Sequence, residues 1–179
     1  LQEMREEEGF GHRTYNHYVQ ALNTFCNWLV KSRRLPSNPI VSVERLNNDV
    51  DVRHPRRALS PDEVSRLVES AQDSGESIQE YSGEERARIY MISFMTGLRR
   101  KEIASLTPRS FNLDGDPPTV TIKATVSKHR KKDVLPLHPE LVVMVREWID
   151  GMAPEQLLFE HLERRRTWLM VRKDLERVG

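Results

Sequence analysis

The most constraining feature of this sequence is a change in its hydrophobic period between residues 109 and 136. On either side of this stretch, apolar residues recur every three or four positions, which is the spacing of one helix face. Inside it, residues alternate or are β-branched in three short runs, at positions 110–113, 120–124 and 133–135. Turn-forming residues separate the runs, so we predict a three-stranded antiparallel meander. The expected fold class is therefore α+β, mainly helical, with one small sheet.

Helix signals divide the chain into two unequal parts. Residues 13–33 carry one apolar helix face, and a polar linker follows two prolines. The segment Ser60-Pro61-Asp62-Glu63 then has the residues of a helix start, with Ser60 as N-cap, Pro61 at the first position and Glu63 completing a capping box. Because one long helix cannot bury its own apolar face, we expect the N-terminal part to be cut from a larger helical domain.

Composition limits the possible partners. Lysine and arginine total 28 against 27 acidic residues, so the net charge of +1 creates no global attraction to polyanions. Contact with nucleic acid would have to depend on local basic clusters, and solvated surface is the alternative for each. The clusters are Arg53, Arg56 and Arg57; Lys128, Arg130, Lys131 and Lys132; and Arg164, Arg165 and Arg166.

The remaining composition argues against several kinds of site. The single cysteine, Cys26, excludes an internal disulfide and has the helical spacing of a small buried thiol. No apolar run approaches the length of a membrane span, so we expect a soluble, cytoplasmic protein. The six histidines show no metal-ligand spacing with cysteine or carboxylates, and we expect neither a metal nor a cofactor.

Arg99 and Glu102 form the first candidate chemical pair. Cleaving a phosphodiester without metal requires a cation on the non-bridging oxygens, an in-line nucleophile and an acid for the departing oxygen. Arginine suits the first role because its planar fork binds two oxygens and stays charged. Arg99 follows Gly97, a residue that can end a helix, and Glu102 lies three residues later, where it can hold the guanidinium. A plain surface ion pair is the alternative.

Lys128 is the second candidate. It lies in the predicted turn between the second and third strands, from which its ammonium could donate a proton to a leaving oxygen. The alternative is a basic hairpin tip that contacts phosphates non-specifically or contacts nothing.

Together these segments resemble the phage integrase, or tyrosine recombinase, family. Members carry a Thr-Gly-Leu-Arg segment with an acidic residue three positions later, then a hairpin lysine ahead of a Val-Pro-Leu-like strand end. Here Thr96-Gly97-Leu98-Arg99, Glu102, Lys128 and Leu135-Pro136-Leu137 follow that order. Upstream, residues 14–18, 25–29 and 38–40 resemble the end of the family's core-binding domain, and residues 56–64 resemble the start of its catalytic domain.

The resemblance implies roles and domains. Arg99 would hold the scissile phosphate, Lys128 would protonate the 5′ oxygen, and Glu102 would support Arg99. Residues 1–52 would be the C-terminal part of a helical core-binding domain with its linker, and residues 53–179 the N-terminal part of the catalytic domain. The partner would be double-stranded DNA, with possible self-association on DNA in the full-length protein. The DNA-contacting residues would be Arg56, Arg57, Arg100, Lys101, Arg130 and Lys131.

The sequence also departs from the family. The family's nucleophilic tyrosine follows a His-x-x-Arg box, yet no tyrosine follows Tyr90 in this chain. His161-Leu162-Glu163-Arg164 fits the box by letter, and we interpret it as coincidence because it lies close to Lys128 and precedes no tyrosine. We therefore expect a fragment that cannot cleave DNA alone. Two alternatives are a DNA-binding remnant without chemistry and a helical interaction module without a nucleic-acid partner.

Overall fold

The protein is described from a computed structural model that covers residues 2–53, 55 and 57–178. The chain divides into two compact units, Leu1–Ala58 and Leu59–Gly179. The sequence prediction placed the domain boundary after residue 52. The assignment of these units to a core-binding and a catalytic domain stays a prediction.

The N-terminal unit contains two helices, α1 (Gln2–Glu8) and α2 (His12–Lys31), and a short 3-10 helix at Asn48–Val50. One face of α2 is covered by the following segment: the Asn16 amide donates to Leu46 O and to Asn48 Oδ1, each at 2.8 Å. Asp51 accepts from the His12 N–H at 2.9 Å and from the Arg53 guanidinium. The bond to Arg53 and the bond to His12 hold the pKa of Asp51 below its ordinary value.

The other apolar residues of α2 are not buried within this unit. Tyr18, Leu22, Phe25 and Trp28 are all at least 41% exposed, and the Phe25 and Trp28 rings stack on each other at the surface. Cys26 is only half-buried, so the expectation of a buried thiol was wrong. The predicted helix is confirmed, but its apolar face is only partly used because the unit has few residues to cover it.

In its described residues the second unit combines five α-helices with a small sheet, as the α+β prediction required. The helices are α3 (Pro61–Gln72), α4 (Gly83–Thr96), α5 (Arg100–Ala104), α6 (Pro139–Ile149) and α7 (Thr167–Val178). The predicted capping box of α3 is present, since Ser60 and Glu63 exchange side chain to backbone hydrogen bonds. An equivalent box at Ser82 and Glu85 begins α4.

The sheet is the predicted antiparallel meander of β1 (Phe111–Asn112), β2 (Thr119–Ile122) and β3 (Asp133–Pro136). Val120 pairs with Leu135 and Thr121 with Val134. Val120 and Ile122 are at most 2% exposed, because alternate residues of the central strand face the helices. The sheet therefore anchors the connection between β2 and β3 to the core of the unit.

Candidate functional site

The end of α4 directs Arg99 to the surface. Gly97 has a φ of +66°, a left-handed conformation that stops the helix, and its N–H still donates to Ser93 O at 3.0 Å. Leu98 then turns into the core and is 7% exposed, while the Arg99 side chain is 56% exposed. After the helix stop, the chain therefore buries Leu98 in the core and exposes Arg99, the next residue, at the surface.

Glu102 holds Arg99 at two points. Its Oε2 accepts from the Arg99 backbone N–H at 2.8 Å, and its Oε1 lies 3.3 Å from the Arg99 Nη1. The glutamate side chain is only 6% exposed, so its charge is balanced chiefly by this arginine. A guanidinium has five N–H donors, and most of those of Arg99 remain directed to solvent. The pair is thus a buried carboxylate that orients an exposed arginine, and it differs from a pair that is exposed on both sides.

Arg100 and Lys101 extend the positive charge along α5. Both residues are exposed. The Arg100 Nη1 donates to Arg165 O at 2.7 Å, which ties α5 to a segment more than 60 residues later in the sequence. Three consecutive cations therefore lie at the start of α5.

Lys128 lies in an ordered part of the connection between β2 and β3. Ser127 is buried, its N–H donates to Lys123 O at 3.2 Å, and its carbonyl accepts from the Arg130 N–H at 3.0 Å. Arg130 has a φ of +53°, which closes the turn. Lys128 itself is exposed and forms no ion pair within the described part of the chain. The turn thus presents the ammonium on a fixed backbone.

One groove brings α5 and this connection together. It has a volume of about 460 Å³, and three segments line it: α5, the start of the turn before Lys128, and the stretch around residues 157–164. Its lining residues are Lys101, Ala104, Ser105, Thr125, Val126, Leu157, His161, Glu163 and Arg164. Lys131 lines a separate pocket on the same connection, with Ser127 and His129. The elements that carry Arg99 and Lys128 therefore share one face of the second unit.

Two further predicted DNA contacts, Arg56 and Arg57, precede the second unit in the sequence. Arg57 belongs to the N-terminal unit, where its Nη1 donates to Ala58 O at 3.3 Å. Arg56 lies outside the described residues.

Sequence reasoning did not place residues 161–166 at this groove. His161 has a φ of +62° and begins the short 3-10 helix Leu162–Arg164, which packs on α5. The basic run was visible in the sequence, but only the tertiary structure shows that it lies beside α5, through this packing and the hydrogen bond from Arg100 to Arg165 O.

Within the described residues, no helix is long and apolar enough to span a bilayer. In the same part of the chain, histidine, cysteine and carboxylate side chains form no group of three that could hold a metal ion.

Comparison with known proteins gives a consistent set of similarities. The profile of the Phage integrase family matches residues 57–178. A tyrosine recombinase of Thermosipho africanus (strain TCF52B) is 27% identical over 148 residues, which is 83% of this chain and 47% of that protein. The crystal structure of XerA recombinase superposes with a TM-score of 0.50 at 17% identity, covering 98% of this chain and 58% of that one. The integrase from mycobacterium phage Brujita aligns with a TM-score of 0.44 at 22% identity, over 98% of this chain and 56% of that one.

The chain thus spans about half the length of the curated relative that it matches. The likeness to the XerA structure, at this level of identity, is evidence for the fold alone.

Proposed function

We propose that this chain, which belongs to the phage integrase family, acts in site-specific DNA recombination and contributes the part of a tyrosine recombinase that binds duplex DNA and activates its phosphate. The observation that carries the proposal is the Arg99–Glu102 pair. A buried carboxylate fixes the backbone and one guanidinium nitrogen of an exposed arginine, which leaves the outer donors for an anion.

In this proposal Arg99 binds the non-bridging oxygens of the scissile phosphate. Negative charge on these oxygens in the transition state is stabilised most effectively by a cation that is already held in position. Because Glu102 sets the position of Arg99 before DNA arrives, little reorganisation is required when the charge develops. Arg99 is the residue whose loss should matter most for chemistry.

Lys128 acts as the general acid. When a tyrosine oxygen attacks phosphorus, a 3′-phosphotyrosyl bond forms and the bond from phosphorus to the 5′ oxygen breaks. The departing alkoxide needs a proton, and the ammonium of Lys128 supplies it. The exposed position of Lys128 on an ordered turn is suited to this role, because the side chain can reach a bound strand while its backbone stays fixed.

The attacking tyrosine is not one of the two in the second unit. Tyr81 and Tyr90 are at most 4% exposed, and their hydroxyls donate to Glu160 O and to Asp174 Oδ2 respectively. Burial raises the pKa of Tyr90 far above its ordinary value, and the bond to Asp174 raises it further. A neutral, buried phenol cannot attack phosphorus, so neither Tyr81 nor Tyr90 should form a covalent DNA adduct.

The DNA contacts proposed in the second unit are Arg100 and Lys101 on α5 and Arg130 and Lys131 on the turn. Arg56 and Arg57 are proposed as DNA contacts of the N-terminal unit. Since the net charge is only +1, these local cations have to supply the attraction to DNA phosphates. Binding should therefore weaken steeply with salt.

The test compares Arg99→Lys with Arg109→Lys, because both arginines are exposed and each is paired with a glutamate. The protein is expressed from the complete reading frame. Its substrate is a set of DNA duplexes selected from a random pool by their binding to this protein. Trapping of a phosphotyrosyl adduct should fall about 100-fold or more with Arg99→Lys, because lysine lacks the planar fork that holds two oxygens in a fixed geometry. It should be unchanged with Arg109→Lys.

A DNA-binding remnant of the same fold is the second candidate, favoured by the burial of Tyr81 and Tyr90. It predicts salt-dependent duplex binding by the complete protein with no adduct in any variant. Absence of salt-dependent binding would count against both candidates.

A further inference from the structure

A tight turn in the second unit has an uncommon backbone. Ile78 and Tyr81 form an antiparallel bridge, with N···O distances of 2.9 and 3.1 Å. The two residues between them, Gln79 and Glu80, have φ values of +54° and +73°. Positive φ at two consecutive residues other than glycine is costly, and such strain persists where surrounding contacts determine it.

The side chains of this turn hold a distant segment. The Gln79 amide bonds the backbone of Arg166 twice, since its Nε2 donates to Arg166 O and its Oε1 accepts from the Arg166 N–H, both at 2.8 Å. Glu80 forms an ion pair with the Arg165 guanidinium. From the opposite side, Arg100 donates to Arg165 O at 2.7 Å. Residues 164–166, here called the arginine segment, are thus fixed between the turn and α5.

The three arginines of this segment are not equivalent. Arg165 is used internally, since its side chain is 23% exposed and pairs with Glu80. The side chain of Arg164 is 78% exposed and lies 4.0 Å from Glu163, a distance at which an exposed pair contributes little. Arg166 is exposed and has no ion pair among the described residues. Two cations on a fixed backbone therefore remain available to an anion.

The groove beside α5 joins Arg164 to the candidate site, and Arg166 lies two residues further along the same fixed segment. Arg164 lines it together with Lys101, and the hydroxyl-bearing residues Ser105 and Thr125 line it as well. Glu163 adds one negative charge at its rim. Cations and hydroxyl groups are the side chains that contact DNA phosphates in most complexes.

We propose that the arginine segment and Lys101 bind the phosphate backbone of duplex DNA beside the Arg99 site, and that Gln79 is a positioning residue for this surface. The inference rests on the proposed function, because it adds contacts to the same partner. Fixing the segment before binding lowers the conformational entropy that the contact would otherwise lose.

The first experiment measures duplex affinity against salt for Arg164→Ala/Arg166→Ala, with a random-sequence 30-base-pair duplex as probe. Loss of two phosphate contacts should lower the slope of log K against log salt by about 2 and weaken binding about tenfold or more near 0.1 M salt. The control is Arg109→Ala/Arg172→Ala, which removes two exposed arginines that pair with glutamates elsewhere. The slope of log K against log salt for this control should lie closer to that of the parent than the slope of Arg164→Ala/Arg166→Ala does.

The second experiment changes the turn without changing charge. Gln79→Asn keeps a residue type that tolerates positive φ but shortens the amide so that it cannot reach both backbone groups of Arg166. Duplex affinity should fall about threefold or more, while the thermal midpoint of unfolding stays near that of the parent. The control is Gln72→Asn, at an exposed position of α3, which should leave duplex affinity unchanged. A third variant, Glu163→Gln, tests the surface even if the arginine variants fold poorly, because the Glu163 side chain is exposed. Removing its negative charge should raise the affinity for duplex DNA.

The outcomes separate the two proposals. A parental salt slope in the Arg164→Ala/Arg166→Ala variant, with salt-dependent binding by the parent, would overturn the phosphate surface and leave the proposed function standing. An unchanged affinity of Gln79→Asn would overturn the positioning role. If the parent itself shows no salt-dependent binding, both this inference and the proposed function fail.

Discussion

Arg86 of α4 and Asp174 of α7 form an ion pair in which neither side chain is exposed. Two parallel hydrogen bonds join them, from Nε to Oδ2 at 2.9 Å and from Nη2 to Oδ1 at 3.0 Å. Tyr90 and Arg177 also donate to the carboxylate, at 2.7 and 2.9 Å, and the third guanidinium nitrogen donates to Tyr81 O at 3.0 Å. The pair therefore links α4 to α7 inside the core of the second unit.

Asp174→Asn should destabilise the second unit strongly. The substitution leaves the Arg86 charge buried without a counterion, and breaking such a pair typically costs about 3–5 kcal/mol. Urea unfolding followed by tryptophan fluorescence measures the change. Asp114→Asn is the matched control, because Asp114 pairs with Arg146 at the surface and exposed pairs are worth about 0–1 kcal/mol. Equal losses for the two variants would contradict the buried role.

Stability should fall at alkaline pH through Tyr81. Burial raises the pKa of its phenol to about 12, above the unfolded value of about 10. The folded state therefore holds this proton more tightly, so the stabilisation is complete below pH 10 and is lost as pH rises towards 12. Tyr81→Phe should reduce the pH dependence of the unfolding free energy in this window.

At neutral pH the same Tyr81→Phe variant loses the bond to Glu160 O, at a cost of about 1 kcal/mol. Tyr18→Phe, at an exposed position, should leave the alkaline profile as it is. A Tyr81→Phe profile identical to that of the parent would show that this phenol does not contribute.

Two substitutions of Glu102 should differ in degree. Glu102→Gln can still accept from the Arg99 N–H but no longer attracts the guanidinium, so stability should fall by about 1 kcal/mol or less. Glu102→Ala loses both bonds and should cost about 1–3 kcal/mol. In the complete protein, both variants should reduce adduct formation at least tenfold, because Arg99 is no longer held in place. Full activity of Glu102→Gln would remove the orienting role of its charge.

Gly97→Ala should cost about 1–2 kcal/mol, because a Cβ is strained at a φ of +66° even though no atom lies within 4 Å of it. Gly75→Ala is the control, since that position is equally open and has no positive φ. Chemical unfolding of both variants would compare them. A stabilising effect of Gly97→Ala would mean that α4 ends differently.

Much of the second unit could be predicted from local sequence. The Ser60 capping box and the helix stop at Gly97 depend on contacts within a few residues, and such contacts follow from residue type and spacing. The three short strands follow from residue alternation between turn-forming residues. The pairing of Arg99 with Glu102 was also predictable, because three residues separate them at a helix start.

Local sequence also determined the identity of the cations and the absence of a tyrosine after Tyr90. Only the tertiary structure decided that Glu102 is buried while Arg99 is exposed, that Tyr90 is bonded to Asp174, and that Gln79 holds Arg166. The last two contacts join residues 84 and 87 positions apart. Periodicity carries no information on such pairings, because they depend on how α7 and the arginine segment pack once the whole unit has formed.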